Sequence, residues 1–107
     1  MSESDRVSSA AGADHQRAID LLEANHVFPG EYSFSVIAHN ADATTAAVIA
    51  AIEAELGAPL SGEAREARPS SQGKYVSHRL RVHCQSAAQV LALYARLRAV
   101  EGVVTVL

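Results

Sequence analysis

Pro69-Ser70-Ser71-Gln72-Gly73-Lys74-Tyr75-Val76-Ser77-His78-Arg79-Leu80-Arg81-Val82-His83-Cys84 turns a polar loop into a strand, and its second half decides the fold. Val76, His78, Leu80, Val82 and Cys84 fall on one side, and Ser77, Arg79, Arg81, His83 and Gln85 on the other. Alternation with period two predicts a strand with one buried and one polar face. Upstream, residues 60–67 alternate weakly, which predicts a short edge strand showing Arg and Glu. Downstream, Ser86-Ala87-Ala88-Gln89 has the capping-box pattern of a helix start, with Val90, Leu93, Tyr94 and Leu97 as its buried stripe. Gly102 closes that helix, and Val103-Val104-Thr105-Val106-Leu107 is β-branched and apolar, a final strand expected inside the sheet.

The first half repeats the plan. Tyr32–His39 alternates, with Tyr32, Phe34, Val36 and Ala38 on one side, and predicts the first strand. Asn40 or Asp42 then caps a helix through about Leu56, with Val48, Ile49, Ile52 and Leu56 at helical spacing and Gly57 and Pro59 ending it. Before these, Ala18, Ile19, Leu21 and Leu22 predict a short amphipathic helix over residues 14–25, with Asp14 as N-cap and Asn25 as stop. Residues 1–13 are rich in Ser, Ala, Gly and Asp with few apolar residues, the composition of a disordered tail.

The order β-α-β-β-α-β predicts an α+β, ferredoxin-like sandwich: a four-stranded antiparallel sheet with both helices on one face and a short N-terminal helix added. Residues 14–107 form a single domain, with residues 31–107 as its core. The other sheet face is open, lined by Ser33, Ser35, Ile37 and His39 with Ser77, Arg79, Arg81 and His83.

At 107 residues and 49% hydrophobic, the chain can bury one modest core. No apolar run reaches the roughly 18–20 residues that span a bilayer, and the N-terminus lacks a signal-peptide pattern. One cysteine permits no internal disulfide, so a cytoplasmic protein is expected. Residues 1–56 hold two Arg against nine acids, and residues 57–107 hold seven Lys/Arg against three. That asymmetry suits either a self-complementary domain or a face for an acidic partner.

Three segments carry a family resemblance: Phe28-Pro29 with Tyr32–Ile37; Pro69–Ser77; and Gln89-Val90, Leu93-Tyr94, Leu97 with Val106-Leu107. On them the chain resembles the YbeD-like family, small uncharacterised bacterial proteins with an ACT-like domain. The first strand departs from the family pattern, with Ser35 where Lys is usual and Ala38 where Gly is usual. The resemblance implies an ACT-like fold and a regulatory, non-enzymatic role through a small effector or a protein partner, with a homodimer expected. ACT domains commonly bind an effector at a subunit interface near the loop after the first strand, which implies His39 and Asn40 here.

The residues themselves leave two readings of the loop. Ser70, Ser71, Gly73 and Lys74, the only lysine, have the groups to grip an anion. The same types also shape a hairpin in which Gly73 takes positive φ and serines bond to backbone. Tyr75, Ser77, Arg79 and Arg81 continue the candidate surface along the strand. None of the five histidines stands four residues from another on a predicted helix, and there is no Cys pair, so no metal and no cofactor is expected. His78 and Cys84 share a face but lie about 20 Å apart along one strand, too far for a nucleophile and its base. No other catalytic arrangement is apparent, and no enzyme is expected. The alternative is a nucleic-acid-binding domain using the basic open face through Arg65, Arg68, Lys74, Arg79 and Arg81; it is disfavoured because Tyr32 and Phe34 fall on the apolar side.

Overall fold

The structure is a computed structural model that describes the backbone of residues 3–107 and the side chains from residue 12 onward. Its elements are α1 (Glu3–Asn25), β1 (Gly30–His39), α2 (Asp42–Leu56), β2 (Arg65–Pro69), β3 (Tyr75–Cys84), α3 (Ala87–Arg98) and β4 (Val103–Val106). The strands form one antiparallel sheet in the order β2-β3-β1-β4. This is the ferredoxin-like arrangement the alternation predicts: each βαβ half leaves room for a strand of the other half, so β1 and β3 become the central pair. Their ladder runs without interruption from Gly30 opposite Cys84 to His39 opposite Tyr75.

The core follows from the two inward faces. Phe34, Val36 and Ala38 of β1 meet Leu80, Val82 and Cys84 of β3, and Val48 and Ile52 of α2 with Val90, Leu93 and Leu97 of α3 cover them. Ser86 caps α3 as its motif predicts, its Oγ accepting from the Gln89 N–H at 3.2 Å. Gln89 reaches back one residue further than a standard capping box, its Oε1 accepting from the Gln85 N–H at 2.8 Å. Gly57 ends α2 in the left-handed region.

Five expectations are corrected. The helix over 14–25 is longer, running from Glu3, so Asp14 lies inside it and pairs with Arg17 instead of capping. The tail expected over residues 1–13 therefore holds helix from Glu3 onward; Met1 and Ser2 lie outside the described residues. Ala10, Ala11 and Ala13 are strong helix formers, and local propensity can extend a helix where burial does not. The weak strand expected over 60–67 is displaced to Arg65–Pro69 and preceded by a 3-10 turn, Gly62–Ala64. All five β2 residues are exposed, so its register left no burial pattern to read. Helix α2 begins after Ala41, which makes no side-chain cap, so neither Asn40 nor Asp42 is the N-cap. Finally, β4 pairs only with β1 and is an edge strand, Val104 within it and Leu107 just after it being 57% and 67% exposed.

Helix α1 lies against α3, with Leu22 packed on the core margin. No described helix is long and apolar enough to cross a membrane.

Candidate functional site

The β1–β3 register brings the two expected site regions to one end of the sheet. His39 is directly opposite Tyr75, and their rings lie 5.3 Å apart, tilted by 35°. Asn40 follows β1 and meets the β2–β3 loop: its backbone N–H donates to the Lys74 carbonyl at 3.0 Å, and its Nδ2 donates to the Gly73 carbonyl at 2.9 Å. Sequence alone assigns Asn40 to a helix cap, since the cap motif is local whereas its true partner is 33 residues away.

The loop itself is a hairpin built from its own polar groups. Ser70 N–H donates to the Tyr75 carbonyl at 2.9 Å, the Gly73 N–H donates to the Ser70 carbonyl at 2.9 Å, and Ser70 Oγ accepts from the Tyr75 N–H at 3.2 Å. Gly73 has φ +73°, which is strained for residues with a Cβ. Ser70 and Gly73 thus shape the turn, and the Gly73 N–H is already committed. Ser71 is exposed at the tip. Lys74 extends over Tyr75, its Nζ 5.4 Å from the ring centroid.

Removing the clamp is expected to loosen this loop without unfolding the sheet. Asn40→Ala loses one exposed side-chain bond, worth about 0.5–1.5 kcal/mol. Faster amide exchange confined to residues 70–75 is the expected result, and exchange unchanged there would show that the backbone bonds alone hold the loop.

Beyond Tyr75 the candidate residues continue along the open face. Ser77 stands opposite Ile37 and Arg68, Arg79 opposite Ser35 and Glu66, and Arg81 opposite Ser33. The arginines are not equivalent. Arg81 bonds the Glu63 carbonyl and pairs with Glu66 at 3.6 Å. Arg68 and Arg79 make no ion pair among the described residues, and with Glu66, Ala67 and Ser77 they line a groove. A second, apolar hollow adjoins it, lined by Ile37, Pro69, Tyr75 and Ser77 among others. Arg68 and Pro69 sit in this surface because β2 lies further along the chain than its sequence pattern suggests.

The inward face carries different chemistry. Cys84 is fully buried, and burial pushes its thiol up to about 11. Thiolate is the reactive form, so this suppresses its nucleophilicity at neutral pH. Thiol-specific labelling at pH 7.5 is expected to be at least about a hundredfold slower in the folded chain than in denaturant; equal rates would show an accessible, ordinary thiol. Tyr32 and Tyr94 join their hydroxyls at 3.1 Å at the core margin, where Phe34 and Tyr94 also meet edge to face at 4.9 Å. Burial, and next the Tyr32 bond, raise the Tyr94 phenol. No group of three or more His, Cys, Asp or Glu side chains among the described residues is placed to hold a metal ion.

Residues 23–107 match the model of a family described as protein of unknown function (DUF493), which covers the three segments that carry the sequence resemblance. No curated protein matches the chain.

Proposed function

We propose that this chain, which belongs to the DUF493 family, is an ACT-like, non-enzymatic regulatory domain that docks an acidic segment of a partner protein on the open face of its sheet. One observation carries the reading. Arg68 and Arg79, without ion pairs among the described residues, flank Ser77 beside the apolar hollow at Ile37 and Tyr75. A carboxylate-bearing segment with one apolar anchor matches both halves of that surface. The buried, proton-retaining Cys84 supports a role without covalent chemistry.

The same surface suits a protein-binding module better than a nucleic-acid binder. Glu66 stands within it and Arg81 is already paired, so the positive charge is local and short of the long basic track that phosphate backbones need. The test is fluorescence anisotropy with two labelled probes, a peptide of alternating Glu and Leu and a single-stranded RNA of equal charge. The expected result is peptide binding that Arg79→Ala and Arg68→Ala each weaken and His83→Ala leaves unchanged. Preferential RNA binding that falls steeply with salt would overturn the reading, as would peptide binding indifferent to both arginines.

A further inference from the structure

His78 is the one buried polar residue of the core among the described residues, 6% exposed, and its Nε2 has no hydrogen-bond partner there. Buried imidazole nitrogens without a partner are unfavourable and uncommon, so the surroundings of this one are informative. Its position has a structural cause. Ala67 of β2 stands opposite His78 and is too small to fill the space between the edge strand and α2. A cleft of about 220 Å³ results, bordered by Thr45 and Ile49 of α2, Arg65, Glu66 and Ala67 of β2, and His78 and Leu80 of β3, with the Glu66 carboxylate taken up by Arg81 on the other side of the strand.

The lining divides into two chemistries. Arg65 and His78 lie on the same side of the sheet, two residues apart in register, and Arg65 makes no ion pair among the described residues. Ile49, Ala67 and Leu80 supply apolar wall. Burial first, and the Arg65 charge second, hold the imidazole below its ordinary range, so it is neutral at pH 7 and can donate or accept a single hydrogen bond at Nε2. The volume lies below the roughly 300 Å³ at which pockets begin to take drug-sized ligands.

We propose that this cleft binds a small monocarboxylate with a short apolar chain, its carboxylate between Arg65 and His78 Nε2 and its chain against Ile49 and Leu80. A carboxylate supplies both missing elements at once, an acceptor for the buried nitrogen and a counter-charge for the guanidinium. A short acyl chain suits a cleft of this size better than a nucleotide or a peptide. The site is on the helix-covered side of the sheet and adjoins the open-face groove only at the β2 edge, where Glu66 and Ala67 border both, and it stands or falls separately from the partner-docking reading.

The experiment is an amide and imidazole NMR titration of the full chain with sodium butyrate, with sodium chloride and 1-butanol as matched controls. The expected result is saturable shifts confined to Thr45, Ile49, Arg65, Ala67 and His78, with roughly millimolar affinity. Arg65→Gln is expected to weaken binding by about tenfold or more through loss of the charge-assisted bond. Ala67→Leu, which fills the cleft with apolar volume, should abolish it while the chain stays folded. Absence of saturation by about 100 mM, identical shifts with 1-butanol, or affinity unchanged in Arg65→Gln would overturn the inference. Shifts at Arg68, Ser77 and Arg79 instead would also overturn it, and would place the anion on the open face.

Discussion

Phe34→Ala is expected to lower the melting temperature by roughly 15–30 °C and to leave part of the population unfolded at room temperature. Phe34 is fully buried at the centre of β1, with its ring 5.0 Å from Tyr32 and 4.9 Å from Tyr94. Truncation removes the transfer free energy of the ring and leaves a cavity that β1 cannot collapse, since the strand is tied to β3 along its whole length and to the β4 segment from Ser35 onward. Substitutions of this kind cost about 3–5 kcal/mol against a total stability of about 5–15 kcal/mol for a domain. Circular dichroism on heating measures it directly. A fall of only a few degrees would mean that the aromatic cluster at the α3 face is dispensable, contrary to the packing described.

The second large effect is expected at Gly102. Its φ is +94°, and a Cβ built there would lie 2.8 Å from Thr44 Oγ1 and 3.0 Å from Thr44 Cγ2. Gly102→Ala therefore meets two penalties, one in its backbone and one against a β-branched side chain whose χ1 is restricted on a helix. Together they are expected to cost about 2–4 kcal/mol. The two parts can be separated, because Thr44→Ala removes both contacted atoms while the backbone penalty stays. Chemical denaturation should find Gly102→Ala costing about 1–2 kcal/mol less in the Thr44→Ala background. Equal costs in both backgrounds would show that Thr44 moves aside freely, and a neutral substitution would remove both arguments. The position matters for the candidate site, since the Gly102 carbonyl accepts the His39 N–H at 2.9 Å and so fixes the end of β1 beside Tyr75.

These effects fall at places of unequal legibility. Phe34 is readable as core from alternation, because β1 and β3 bury one face and expose the other, and selection for burial writes period two into both. The Thr44–Gly102 approach is not readable, since it joins residues more than fifty positions apart through a turn conformation. Strand β2 is poorly readable for the opposite reason: with every residue exposed, neither face constrains residue type. Helix α1 is readable in its apolar half, where Ile19 and Leu22 are half-buried, and unreadable before Asp14, where composition suggests disorder and the backbone is helical. The site divides in the same way. Its members are legible from residue type, but a cap role for Asn40 is a local solution that a non-local bond displaces.

What sequence alone determined is the element order, the inward face of β3, the Ser86 cap and the segments that mark the family, all of which depend on neighbours within a few residues. Tertiary structure decided which of these residues have chemistry left over. Arg68, Arg79 and Arg81 look alike in the chain, yet only Arg81 is paired, because β2 brings Glu66 and the preceding turn brings the Glu63 carbonyl to it. His78 reads as one more inward residue of an alternating strand, yet its nitrogen is left without a partner because the residue opposite is Ala67. Periodicity records which way a side chain points, but hydrogen bonds and ion pairs depend on what another segment places within about 3–4 Å of it, and that is set only when the strands choose their register.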